Sequence, residues 1–334
     1  MITMILRSRA PTRISFAGGG TDLPEIAKVM GGCVTSGAIT KYVYGTMKER
    51  GNKKLVIASQ SSGKREKEIT DASAIKYNGR LDLVKSVAEE LNKDGLGFEI
   101  TLSSDLPRHS GLGVSAAAYA AVIALFDGFY KLGMTRREMA ELAFTLETEK
   151  LNNRVGKQDQ YAVVFGGLNF MEFDRSMNVK ISPLKASKKI VEYLEKNLAL
   201  FYIAERKKTA GTTISKQLRS GSLEAFRKTK ELGLKSREAL ERGDLEEFGN
   251  VMSLVWRYKK TFGGATTKSI DKIYGAAINA GAYGGKISGA GGGGCGFWLC
   301  RPHKKQGVID ALEKKGAVHI PFSFDFDGVK TWEE

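Results

Sequence analysis

The chain has 334 residues, 42% hydrophobic and 27% charged. This is the make-up of a folded protein of about two domains, and it excludes extended disorder and a collagen-like repeat. Lys and Arg outnumber Asp and Glu by 52 to 37, a formal charge of +15 that suits anionic ligands or a Lys-rich solvated surface; the basic residues are scattered without a stripe of interleaved aromatics, so no nucleic-acid partner is expected.

Residues 4–8 and 12–17 alternate as strands and run into Gly18-Gly19-Gly20. Residues 33–47 are rich in β-formers and continue into Leu55-Val56-Ile57-Ala58. Apolar positions in 80–93 recur at helical spacing, 97–102 reads as a strand, and the Ala-rich run 115–132 as a buried helix. Thr135 followed by Glu138 predicts a capping box opening a helix over 135–150. Residues 167–173 and 178–183 read as a strand pair. A charged helix over 187–197 precedes a strand at 198–204. Helix dominates 211–261 and 266–281; 296–300 is a strand, 305–315 a helix and 318–324 a last strand. The fold class is α+β with two domains, 1–185 and 186–334.

Cys33, Cys295 and Cys300 have no metal-ligand spacing and are odd in number, which argues for a reducing compartment. The N-terminal apolar run is too short for a signal peptide, and no segment has the length of a membrane span. A cytoplasmic protein with no membrane partner is expected.

Three glycine-rich loops and a carboxylate segment stand out. The first, Ala10 to Asp22, places Gly18-Gly19-Gly20 between the opposite charges of Arg13 and Asp22; such a run serves either as a turn or as a place where a ligand approaches backbone. The second, Pro107 to Ala118, runs through Gly111, Leu112, Gly113, Val114, Ser115 and Ala116 straight into a helix start. Free amides there form an anion site, although a plain capping loop has the same composition. It lacks the Gly-Lys-Ser/Thr of a Walker loop and the spacing of a dinucleotide fingerprint. Ser115 would cap the helix or ligate a cation. The third, Gly284 to Gly296, holds Gly289, Gly291, Gly292 and Gly293, more glycine than a structural loop needs given its entropic cost. Between the second and third lie Glu147 and the run Gly156-Lys157-Gln158-Asp159-Gln160-Tyr161. Such a carboxylate pair can divide phosphoryl transfer between metal binding and proton handling, and Lys157 beside Asp159 would keep it ionised.

Together these elements resemble the GHMP kinase superfamily, which includes galactokinase, homoserine kinase and the mevalonate kinases. Within it, Phe16 to Asp22, Gly156 to Tyr161, Gly166-Gly167-Leu168-Asn169-Phe170 and the third loop resemble the D-glycero-D-manno-heptose 7-phosphate kinases and their sugar-kinase relatives. The resemblance implies an N-terminal domain like ribosomal protein S5 domain 2 and a ferredoxin-like C-terminal domain, with the active site between them. It implies MgATP, with Pro107 and Gly111 to Ala116 around the nucleotide phosphates and Ser115 and Glu147 on Mg²⁺; Glu149 is the alternative if the register slips. Asp159 matches the catalytic aspartate and Arg13 the basic residue that offsets charge at the transferring group. Gly19, Gly20, Thr21 and Asp22, with Gly289, Gly291, Gly292 and Gly293, fall on the substrate side.

The chain departs from the pattern at Gly19-Gly20, at Val114 and at His109-Ser110, which is not the commonest lead-in to the phosphate loop. Gly19-Gly20 stands where galactokinases carry Glu-His, which implies a bulkier sugar than galactose, and Val114 stands where the phosphate loop has its usual first serine. The implied reaction is phosphorylation of the anomeric hydroxyl of a heptose 7-phosphate to the 1,7-bisphosphate. The alternatives are another kinase of the superfamily, acting on fucose, galactose or mevalonate, or a non-catalytic sensor on the same fold. A substrate phosphate needs a basic pocket, for which the Arg206-Lys207-Lys208 run is one candidate and a solvated surface run the other reading.

Overall fold

The computed structural model describes residues 4–61, 64–206 and 210–334. Strand β1 (Ile5–Ala17) joins the two expected N-terminal strands into one, with register shifts after Pro11 and Ser15. Proline offers no amide to the ladder, so the irregularity falls there. Helix α1 (Pro24–Met30) leads into β2 (Gly32–Arg50), the long strand on which the first sheet is organised. Next come β3 (Lys54–Ser61), β4 (Lys64–Asp71), α2 (Asp82–Leu91), β5 (Gly97–Ser104) and α3 (Val114–Tyr130). The charged strand β4 carries no apolar alternation and was not anticipated; it lies at the sheet edge, where charge guards against pairing with other chains. Helix α4 (Arg136–Thr145) has the predicted capping box, and a π-turn at Leu146–Lys150 ends it. Helix α5 (Gln158–Phe165) precedes the paired strands β6 (Leu168–Phe173) and β7 (Val179–Pro183).

The first sheet runs β12-β1-β2-β5-β3-β4, with β12 defined below. The first part of β2 pairs with β6 and the later part with β5, so the strand spans two neighbours on one side while β1 follows it on the other. Helices α2 to α5 pack on one face around Met47, Phe98, Tyr119, Phe126 and Tyr161. Burial of this apolar face is what holds α3, whose sequence is hydrophobic nearly all round, inside the domain.

The second half starts with α6 (Lys188–Asn197) and β8 (Leu198–Ala204). The expected helical stretch resolves into α7 (Ala210–Ser220), α8 (Leu223–Arg242) and α9 (Leu245–Thr261). Ser222 and Asp244 cap the last two, and Gly243, with φ +78°, ends α8. Helix α10 (Lys268–Asn279), β9 (Ala282–Ile287), β10 (Gly294–Cys300), α11 (Lys305–Glu313) and β11 (Val318–His319) follow. The antiparallel order β11-β8-β10-β9 is that of the expected ferredoxin-like sheet.

The chain then crosses back. Phe324 bridges Ile39, and β12 (Lys330–Glu333) pairs with β1. The predicted strand over 318–324 is therefore only two residues long, and the last segment expected in 186–334 belongs by pairing to the first sheet. A shared core joins the halves: the buried Phe16 ring lies 5.2 Å from Phe248 and 6.0 Å from Phe297 in edge-on contact. All three cysteines are buried and unpaired, and no helix among the described residues is long and apolar enough to cross a membrane.

Candidate active site

A cavity of about 190 Å³ opens between the two sheets, where parts of all three glycine loops meet Glu147, Gln158 and Asp159. Helix α3 starts at Gly113, whose φ of +79° no other residue type adopts readily, and no side chain caps the helix. A Cβ on Gly113 would stand 3.2 Å from Arg13 Cγ, so glycine lets the arginine lie against the helix start. Val114, Ser115 and Ala116 line the cavity from that start, so the uncapped first turn and the positive end of the helix lie at the cavity wall. Pro107 and Leu112, expected among the phosphate contacts, stand behind the lining. Leu112 is fully buried and its carbonyl accepts from the Arg13 amide, while the Pro107 carbonyl accepts from Ser110.

Asp159 sits in the first turn of α5 and is gripped by Arg13. Nε donates to Oδ1 at 2.8 Å, Nη2 to Oδ2 at 2.6 Å, and Nη1 to the Gly111 carbonyl at 2.8 Å. Lys157, expected to keep Asp159 ionised, points away and pairs with Glu141 at 2.6 Å and the Met177 carbonyl at 2.9 Å. The cation at Asp159 is Arg13, which reaches it from β1.

Asp22 is buried and accepts from the Gly20 amide (2.9 Å), the Gln158 amide (3.1 Å) and Gln158 Nε2 (2.9 Å). Burial pushes its carboxyl pKa up and the Asp159 charge adds to this, while the backbone amides oppose it. Thr21 does not join it: its hydroxyl donates to the Gly18 carbonyl and bonds to the backbone of Cys33, tying loop to strand. The space beside Gly19 is not free for a large sugar either. A Cβ there would meet Ser15 Oγ at 3.0 Å and Gln158 Nε2 at 3.3 Å, so Gln158 takes up the room a longer side chain would need. Gly20 faces Phe226, which stacks on Phe262 at 4.6 Å and gives the cavity an apolar wall.

Of the third loop, Gly289 and Ala290 line the cavity. Gly291 and Gly292 instead pack on Ala265, with Gly292 donating to its carbonyl at 2.7 Å, and Gly293 lies on the Arg206 backbone. Glycine is needed there for backbone meeting backbone, which corrects the expectation that these residues touch substrate.

Glu147 lies buried in the π-turn. Ser115 Oγ donates to Oε1 at 2.8 Å and Gln160 Nε2 to Oε2 at 2.8 Å. Burial raises its pKa to about 7; the two hydrogen bonds lower it and the Asp159 charge raises it further. Glu149 is exposed and does not line the cavity. No cluster of three or more His, Cys, Asp or Glu forms a closed metal cage among the described residues. One carboxylate beside one hydroxyl at a helix start fits Mg²⁺, which takes few protein oxygens and completes its shell with phosphates and water.

Two basic residues in the cavity, Lys286 and Lys259, were not identified from sequence. Lys286 is buried, its Nζ donates to the Ser15 carbonyl at 2.9 Å, and burial holds its pKa well below the ordinary value. Lys259 on α9 donates to the Gly289 carbonyl, and burial, then the Arg206 and Arg13 charges, lower its pKa to about 8. It continues the apolar stripe Val251, Met252, Val255, Trp256 and Phe262, a pattern that marks a lysine facing inward. Arg206 also lines the cavity, whereas Lys207 and Lys208 lie outside the described residues. A second cavity of about 500 Å³, with Gln60, Leu81, Asp82, Arg108 and Asn153 in its lining, shares His109, Val114 and Ser115 with the first. The start of α3 thus stands between two hollows.

The family model "GHMP kinases N terminal domain" matches residues 82–167, and "GHMP kinases C terminal" matches residues 236–318. The chain is 34% identical to a D-glycero-alpha-D-manno-heptose 7-phosphate kinase of Campylobacter jejuni, over 98% of each chain. It is 26% identical to a galactokinase of Pyrococcus furiosus, over 74% of this chain and 78% of that one. Among solved structures, one described as a D-glycero-D-manno-heptose 1-phosphate kinase from Bacteroides thetaiotaomicron superposes with a TM-score of 0.82 at 29% identity, covering 98% of each chain. A mevalonate kinase structure superposes at 0.75 with 22% identity, covering 96% of this chain and 99% of that one, a likeness of fold.

Proposed function

The chain belongs to the GHMP kinase family, and on that premise we propose that this ATP-dependent sugar kinase phosphorylates the anomeric hydroxyl of a heptose 7-phosphate, giving the 1,7-bisphosphate. The observation that carries the reading is Asp159 held by Arg13 in a cavity that also contains the start of α3. The nucleoside of ATP enters the larger hollow, and its phosphates run across the amides of Val114 to Ala116 toward the smaller one.

Asp22 and the phenylalanine wall orient the sugar, with Gly19, Gly20 and Gly289 close enough for backbone contact. Asp159 accepts the proton of the attacking hydroxyl. The freed oxygen bonds to the γ-phosphorus as the bond from that phosphorus to the β-γ bridging oxygen breaks, and ADP departs with the electron pair. Three of the five guanidinium hydrogens of Arg13 are engaged, which leaves one on each terminal nitrogen for the phosphoryl oxygens. Ser115 and Glu147 would hold Mg²⁺, which when bound neutralises charge on the phosphates. The buried, unpaired cysteines support a reducing, cytoplasmic setting.

The experiment is an ADP-release assay with ATP and Mg²⁺ over heptose 7-phosphate, heptose 1-phosphate, unphosphorylated hexoses, fucose and mevalonate. Preference for heptose 7-phosphate is the expected result. Preference for the 1-phosphate would instead match the Bacteroides thetaiotaomicron heptose 1-phosphate kinase that this chain resembles. Nucleotide binding without turnover on any acceptor would favour a sensor.

A further inference from the structure

Arg206 follows β8 by two residues and enters the cavity between the second and third loops. It is only 7% exposed, and among the described residues its Nε and Nη2 have no hydrogen-bond partner. No ion pair joins it to a carboxylate among those residues. The two loops are glycine where it approaches them: a Cβ on Gly111 would stand 2.8 Å from Nη2, and one on Gly289 3.2 Å. Lys259 flanks the same glycine, its Nζ on the Gly289 carbonyl. The nearby carboxylates are already taken, Asp159 by Arg13, Asp22 by Gly20 and Gln158, and Glu147 by Ser115 and Gln160. A buried guanidinium with idle donors is costly unless an anion completes it.

We propose that Arg206, flanked by Lys259, is the receptor for a phosphate-ester oxyanion in the acceptor half of the cavity. The inference rests on the kinase reading for the origin of that phosphate. Two sources carry the same chemistry: the acceptor's own phosphate, or the phosphoryl group in transfer. The planar fork of Arg206 suits two oxygens of one tetrahedral group, and Lys259 adds a point charge beside it.

Calorimetric titration with inorganic phosphate, in the presence of saturating MgADP, tests the site itself. Arg206→Gln is expected to weaken phosphate binding by about tenfold or more, and Arg206→Lys by less. An Arg206→Gln Kd within about twofold of wild type overturns the proposal. Kinetics then assign the source. A raised KM for the phosphorylated acceptor, with the unphosphorylated sugar unaffected, assigns the acceptor's phosphate. An equal fall in kcat for both acceptors, with KM unchanged, assigns the group in transfer. If Arg206→Gln does not fold, Arg206→Lys and Lys259→Met carry the same titration, and unchanged affinity in both overturns the site. Should no acceptor turn over, the kinase reading fails while the phosphate titration still judges Arg206.

Discussion

Arg13 and Asp159 form a two-pronged ion pair that crosses from β1 to the first turn of α5, with the arginine 3% exposed and the aspartate 29% exposed. The arginine is thus locked in the core, while the aspartate it holds reaches the cavity. Loss of the carboxylate would remove the proposed proton acceptor and leave a buried guanidinium without its counter-charge. Asp159→Asn is expected to lower kcat by about 10²- to 10⁴-fold, with acceptor KM changed little. Steady-state kinetics on a variant with unchanged far-UV circular dichroism checks this.

If Glu147 holds Mg²⁺ as proposed, its protonation links metal binding to stability. Its folded pKa is about 7 against an ordinary 4.5, so the folded chain keeps a proton that the unfolded chain releases in between. This group's contribution therefore becomes less favourable as pH rises from about 4.5 to about 7, and stays so above. Glu147→Gln is expected to raise Tm at pH 8 without divalent metal and to lose that advantage near pH 4.5. Mg²⁺ should raise the Tm of wild type at pH 8 and not that of the variant. Thermal unfolding with and without Mg²⁺ at the two pH values reads both.

Lys259 sets an upper pH limit. Its pKa is about 8 because burial, Arg206 and Arg13 disfavour its charge, with Asp22 and Asp159 opposing them. The amine is charged below that value and neutral above, so affinity for an anionic acceptor should fall as pH rises through about 8. Stability runs the other way: for this group it improves between about 8 and 10.5, where only the unfolded chain still holds the proton. Acceptor KM measured from pH 6.5 to 9 should rise in wild type and stay flat in Lys259→Met.

Gly156 protects Asp22. A Cβ there would lie 2.0 Å from Asp22 Oδ2, so Gly156→Ala must displace the carboxylate. Acceptor KM is expected to rise by about tenfold or more, as for a lost hydrogen bond to a charged group. Nucleotide affinity, which the proposal places at α3, should hold within about twofold. Initial-rate kinetics with each substrate varied separates the two.

Most of the fold was legible because periodicity and caps recorded it, as at Thr135 and Glu138 or along the buried α3. The charged edge strand β4 and the return of β12 to β1 were not, since neither shows the alternation of a half-buried strand. At the site, Asp159, Arg13, Asp22, Ser115 and Glu147 were placed by motif and do meet at one cavity. Lys157 neighbours Asp159 in sequence but not in space, and the cation that pairs with Asp159, Arg13, comes from a distant strand. Lys259 and Lys286 were missed because a single lysine in a basic chain looks like surface. Only the apolar stripe around Lys259 told otherwise.

The measurement that bears most directly on the central claim is phosphorus NMR of the product formed from ATP and heptose 7-phosphate by wild type and Asp159→Asn. A new anomeric phosphate signal beside the retained 7-phosphate is expected for wild type, and almost none for the variant in the same time. A phosphate on any other carbon, or an undiminished signal with Asp159→Asn, would contradict it.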